Sequence, residues 1–154
     1  MNEISLKAPA KINLFLDITG KLPNGYHEIA SVMQTVDLFD YVKIEKSENI
    51  SVKCSIGDLD GESNIAYKAA KKFCEAAGLE PGFRINIEKK IPFAAGLAGG
   101  SADAAAVIVG LDKLLKTDFS QAKLCEIGLS VGSDVPFCIV GGTCLSQNTG
   151  GGLS

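Results

Sequence analysis

The sequence predicts an α+β domain, and three observations carry that expectation. Apolar residues alternate with polar ones through the first part of the chain. Later they recur every three or four residues, as on helices. Between two such regions lies a glycine-rich run that an alternating segment enters and an alanine-rich segment leaves. With 154 residues, the chain suits one domain with its own core.

The first predicted strand carries Ile12, Leu14, Leu16 and Ile18 at period two, with Phe15 making both faces partly apolar. Pro23, Asn24 and Gly25 then mark a tight turn, because Asn-Gly adopts positive backbone dihedrals at low cost. A strand is expected over Ile29 to Val36. Tyr41 to Glu45 and Ile50 to Cys54 are expected to form a further pair. The period then changes. A helix is predicted from Asn64 to Ala77, capped by Ser63, with Ile65, Ala69, Phe73 and Ala76 or Ala77 on its apolar face and Gly78 as its stop. Phe83, Ile85 and Ile87 alternate again as a strand. A helix is expected from near Ser101, with Ala104, Ile108, Leu111 and Leu115 facing a core. Another follows over Gln121 to Leu129, capped by Asp118 or Ser120. Gly128, Gly132, Gly141 and Gly142 break the remainder into short elements.

Composition narrows the function. Fifteen Lys and Arg against eighteen Asp and Glu leave a net charge of −3, so no broad cationic surface for nucleic acid or an anionic membrane is expected. The longest apolar stretch, Ala102 to Val109, is interrupted by Asp103 and falls far short of the roughly 20 residues of a membrane span. Met1 to Lys11 lacks the pattern of a secretory signal. Cys54, Cys74, Cys125, Cys138 and Cys144 are odd in number and have no zinc-knuckle spacing. They read as small thiols in a reducing cytoplasm, the expected location.

The segment Lys89 to Ala106 carries the strongest chemical signal. Gly96, Gly99 and Gly100 allow sharp turns and unobstructed backbone N–H groups, and the following helix adds free N–H donors and positive dipole potential. Such a loop can hold a di- or triphosphate, although a tight crossover would also use glycine. It is neither a P-loop, since no Gly-Lys-Ser or Gly-Lys-Thr occurs, nor a Gly-x-Gly-x-x-Gly dinucleotide loop. Two short blocks flank it in sequence. Ala8-Pro9-Ala10-Lys11-Ile12-Asn13 offers Lys11 as an electropositive group beside a transferring phosphoryl, or as a solvated surface lysine. Gly132-Ser133-Asp134-Val135-Pro136-Phe137 offers Asp134 as an acceptor of a hydroxyl proton, or as a turn residue. Tyr26 and His27 could hold a planar base, while a turn histidine at the surface suits the same residues. A single histidine gives no metal spacing.

Together these blocks resemble the amino-terminal part of the 4-diphosphocytidyl-2-C-methyl-D-erythritol kinases, within the superfamily of galactokinase, homoserine kinase, mevalonate kinase and phosphomevalonate kinase. The blocks are Ala8 to Leu14 continuing through Gly20 to Glu28, Pro92 to Ala106, and Gly132 to Phe137 followed by Gly141-Gly142-Thr143. The resemblance implies a GHMP-kinase N-terminal domain, of the ribosomal protein S5 domain 2-like fold, over residues 1–154. It implies transfer of the γ-phosphoryl of ATP, with Mg²⁺, to the 2-hydroxyl of the erythritol substrate in the non-mevalonate route to isoprenoid precursors. It implies that Asp134 is the base, that Lys11 orients the hydroxyl and stabilises charge, and that Tyr26 and His27 contact the cytidine end. Pro92, Phe93, Ala94, Ala95, Gly96, Leu97, Ala98, Gly99, Gly100, Ser101 and Ala102 would wrap the ATP phosphates. No metal ligand is assigned.

Two departures accompany the resemblance. Ala102 stands where the family usually carries a second serine or a threonine, which removes one hydroxyl near the phosphates. The family also runs to about twice this length, in two domains. The expectation is therefore a truncated kinase whose partner is the missing C-terminal half. A nucleotide-binding but catalytically incomplete fragment is the alternative.

Overall fold

The computed structural model describes residues 2–21, 27–55, 61, 64–80, 82–91, 99–140 and 143–147, and gives backbone alone for 11–21, 27–38, 99 and 143–147. Its order is β1 (Glu3–Lys21), β2 (His27–Lys46), β3 (Ser51–Cys54), α1 (Ile65–Ala77), β4 (Phe83–Glu88), α2 (Gly99–Leu115), α3 (Gln121–Val131), α4 (Val135–Val140) and β5 (Thr143–Gln147). The strands form one sheet in the order β1-β2-β4-β3, with β5 also paired to β2. This is the predicted α+β class.

The first two strands are longer than their alternation suggested. Tyr41 to Glu45 is not a separate strand but the second half of β2, where it pairs with β4. Ile50 to Cys54 does not pair with it. Instead β3 runs parallel to β4, Ser51 opposite Arg84 and Cys54 opposite Ile87. Alternation specifies which face each residue takes but not which strand lies beside it. β1 and β2 pair antiparallel with three register shifts, one of them between Pro9 and Lys11. Proline has no N–H for the ladder, and such bulges re-aim the strand.

One face of the sheet is apolar. Ala8, Val42, Ile44, Ile85 and Ile87 are buried there, while Ser5, Lys7, Lys43 and Arg84 alternate onto the outer face. α2 packs across the apolar face, and Gly110 permits the approach: a Cβ there would lie 2.6 Å from Leu6 Cδ1 and 2.8 Å from Ile44 Cδ1. α1 and α3 each pack against α2 and against one another. α2 is therefore central. Ala102 to Ile108 are all buried, where the sequence pattern suggested one apolar face. α1 ends as expected at Gly78, in the left-handed region with φ 68°. Its N-cap is Asn64, whose side chain accepts the Ala66 N–H at 2.9 Å, and Ser63 lies outside the described residues. Ser120 caps α3 by accepting the Lys123 N–H. α4 and β5 occupy the glycine-broken end of the sequence.

Candidate functional site

The three sequence blocks meet at α2. A cavity of about 250 Å³ is lined by Ala8 and Pro9 of β1, by Ala102, Ala105 and Ala106 of α2, and by Cys138 and Ile139 of α4, with Lys7 and Lys113 also on its wall. The first block thus enters from the sheet and the second from the helix after the glycine-rich run, while the third block opens α4 and is followed there by the lining residues Cys138 and Ile139. A larger cavity, about 570 Å³, lies over Ser5, Lys7, Tyr41, Lys43, Lys53 and Asn86 on the outer face of the sheet. It contains no block residue, so volume alone does not mark the site.

Local sequence explains how each block arrives. α4 can sit close because Gly128 of α3 has no side chain: a Cβ there would lie 2.8 Å from Ile139 Cδ1 and 2.9 Å from Val135 Cγ1. Pro136 suits the first turn of α4, where its missing N–H has no intrahelical partner. Asp134 is half-buried in the turn between α3 and α4, and its carbonyl accepts the Cys138 N–H at 3.3 Å. Lys11 lies in β1, its backbone opposite Thr35 just past the Pro9 bulge. His27 opens β2 opposite Lys21. Tyr26 and residues 92–98 of the glycine-rich run lie outside the described residues. Of that run, Gly99, Gly100, Ser101 and Ala102 form the first turn of α2, with Gly100 exposed, Ser101 half-buried and Ala102 buried. This start supplies the N–H donors that an anion would meet.

Sequence reasoning missed three charged side chains at the base of the run. The Lys89 Nζ donates to Asp40 Oδ2 at 2.6 Å and to Asp103 Oδ2 at 2.8 Å. The three side chains are 5%, 0% and 3% exposed respectively. Asp40 Oδ1 also accepts the N–H groups of Lys90, at 2.7 Å, and Ile91, at 2.8 Å. The sheet register produces this meeting: Glu88 pairs with Tyr41, so Lys89 emerges beside Asp40. Burial pushes the Asp40 carboxyl up, but Asp103, the Ile91 N–H, Lys89 and the Lys90 N–H together hold it below its usual value. Burial, then the hydrogen bond with Asp40, pushes Asp103 up to about 8 against the pull of Lys89. One carboxyl is thus kept ionised and the other neutral beside a single ammonium. A usable signal existed in the sequence. Asp103 is a lone charge among Ala102, Ala104, Ala105 and Ala106, and a charge on a buried helix demands a partner.

Among the described residues, no group of three His, Cys, Asp or Glu side chains could hold a metal ion, and no helix is long and apolar enough to cross a membrane.

Comparison with known proteins gives a consistent result. Residues 64–142 match the family described as the GHMP kinases N terminal domain. The chain is 53% identical to the 4-diphosphocytidyl-2-C-methyl-D-erythritol kinase of Acetivibrio thermocellus, over 97% of this chain and 54% of that one. It is 54% identical to the kinase of the same name from Carboxydothermus hydrogenoformans, over 93% and 50%. The crystal structure of a 4-(cytidine 5'-diphospho)-2C-methyl-D-erythritol kinase superposes with a TM-score of 0.85 at 35% identity, covering 98% of this chain and 54% of that one. The chain spans about half the length of the curated relatives it matches.

Proposed function

The chain belongs to the GHMP kinases, matching their N-terminal domain, and from that premise we propose that it serves the phosphorylation of 4-diphosphocytidyl-2-C-methyl-D-erythritol by ATP. The observation that carries this reading is one cavity along α2 that joins residues of the first two blocks to Cys138 and Ile139, which directly follow the third block in α4. Relatives about half identical to the chain bear that activity in their names.

In this reading the segment 92–102 holds the nucleotide phosphates, the described part of it through the N–H groups at the start of α2. Among the described residues, a Cβ on Gly100 would meet only Ile65 Cγ2, at 3.4 Å. Packing alone thus gives little reason for glycine there, and close approach of a ligand gives one. Asp134 accepts the proton of the 2-hydroxyl as its oxygen attacks the γ-phosphorus. The bond from that phosphorus to the β–γ bridging oxygen breaks, and ADP leaves. Lys11 orients the hydroxyl and offsets the charge spreading over the transferred group. Tyr26 and His27 hold the cytidine end. Mg²⁺ would neutralise charge on the phosphates, and no residue of this chain is assigned to hold it. Ala102 supplies no hydroxyl, so Ser101 and backbone donors carry that side of the site. The other wall of the cleft comes from the portion of the relatives' length that this chain does not span. A reaction that consumes ATP belongs in the cytoplasm, as the sequence reading expects.

The test is ATP-dependent phosphorylation of that substrate, with product identified by mass and Asp134→Asn in parallel. Asp134→Asn should lose at least about 100-fold in turnover while ATP affinity changes little. Equal turnover in the two proteins removes Asp134 from the base role. ATP binding without product would instead favour a nucleotide-binding half that acts only with the rest of the kinase, and absence of ATP binding would overturn the reading.

A further inference from the structure

We propose that Asp40, Lys89 and Asp103 form a positioning pin that ties β2 and the chain just after β4 to the first part of α2. The pin thereby sets the start of α2 where ATP phosphates would lie, a role that rests on the kinase reading above. Each member comes from a different part of the fold: Asp40 from β2, Lys89 from just after β4, and Asp103 from α2. The Lys89 and Asp103 positions are 14 residues apart in sequence and bracket the segment, yet their side chains touch. Asp40 extends the tie to the backbone, since its Oδ1 takes the N–H groups of Lys90 and Ile91, the last two described residues before the segment. The Lys89 N–H donates to Ser55 Oγ at 2.9 Å, which anchors the same point to the chain after β3.

The cluster is poorly explained as a stabilising device. Asp103 Oδ1 is buried without a hydrogen-bond partner among the described residues. Apolar side chains of similar volume would fill such a position at lower cost. What an ion cluster provides, and a greasy contact does not, is a fixed direction and distance between three elements. N–H groups at the start of α2 that meet a polyphosphate must be held in place, because small misplacements weaken every bond at once. Asp103 is thus a positioning residue, acting through Lys89 and the backbone, not a group that touches substrate.

The test compares Asp103→Leu with Asp103→Asn. Leucine breaks the tie but leaves Lys89 and Asp40 as a balanced pair, so the fold should survive. Asparagine is uncharged, as the protonated carboxyl is, and keeps an oxygen that can accept from Lys89. The probes are ATP, inorganic tripolyphosphate and adenosine, with amide hydrogen exchange at Lys90 and Ile91 read separately. Asp103→Leu should weaken ATP and tripolyphosphate binding at least tenfold and leave adenosine binding within about twofold. It should speed exchange at both amides, and Asp103→Asn should restore parent behaviour in every readout. Equal losses for ATP and adenosine, or exchange in Asp103→Leu matching the parent, would overturn the pin. A parent that binds neither ATP nor tripolyphosphate would sink the kinase reading instead, and the exchange comparison would still decide whether the tie exists.

Discussion

The Lys89 ammonium lies 2.8 Å from Asp103 Oδ2, joining the chain just before the glycine-rich segment to the helix just after it. Because Asp40 binds the same ammonium at 2.6 Å, one positive charge faces two carboxyls in a nearly dry site. The stability of the domain should therefore depend on how many protons that site holds.

Asp103 sets the sign of that dependence. Its carboxyl is raised from 3.8 to about 8 by burial, then by the Asp40 hydrogen bond. Between those values the unfolded chain has released the proton and the folded chain retains it. Stability should fall as pH rises through the window, by up to about 1.4 kcal/mol per pH unit. The neighbours titrate elsewhere. Asp40 is held below 3.8, so its contribution is present above that value and is lost as pH falls through its folded value. Burial pulls Lys89 down, but hydrogen bonds to Asp103 and Asp40 outweigh it and hold it above 10.5. Its contribution is present below that value and is lost as pH rises through the folded one. Urea unfolding at about pH 5 and about pH 7.5 should show the decline in the parent and a flatter profile in Asp103→Asn. The same slope in both proteins would remove Asp103 as its source.

Lys89→Met should be the most damaging change in the cluster. It leaves Asp40 and Asp103 buried together with no cation, and breaking a buried pair in this way costs about 3–5 kcal/mol. The loss should shrink as pH falls, since protonating Asp40 as well removes the uncompensated buried charge. Chemical denaturation at neutral and acidic pH measures both effects. A neutral-pH stability within about 0.5 kcal/mol of the parent would show that the ammonium does not carry the cluster's neutrality.

Much of the fold was legible because it rests on local chemistry. The alternation of Phe83, Ile85 and Ile87 gives β4, and Gly78 stops α1 because a left-handed residue was needed there. Strand partnership was not legible. Nothing in Ile50 to Cys54 distinguishes a parallel neighbour from an antiparallel one, and β3 chose β4 over the segment from Tyr41. Nor does spacing show that α2 is buried on every side from Ala102 to Ile108, since alanines fit a crowded centre and a mild surface equally well. In the candidate site, the glycine run and the block around Asp134 stood out by residue type. The roles of Lys11, Tyr26 and His27 came from family resemblance. Asp40 was invisible because its partner, Lys89, is 49 residues away and meets it only through the β2–β4 register.

Gly100 separates a packing role from a binding one. It is exposed in the first turn of α2, and an added Cβ would come no closer than 3.4 Å to Ile65 Cγ2. Alanine is the better helix former by up to about 1 kcal/mol in a helix interior, and by less in a first turn. Gly100→Ala should therefore leave the melting temperature unchanged or slightly raised. If the start of α2 receives polyphosphate, the added methyl stands among the N–H groups that the ligand must approach, and ATP affinity should fall at least about tenfold. Isothermal titration with ATP, beside thermal unfolding of the same protein, reads both quantities. Lost stability with unchanged affinity would make Gly100 a packing residue and count against phosphate binding at this helix. Lost affinity in a protein as stable as the parent would show that the glycine is kept for the ligand, because the fold itself gains nothing from it.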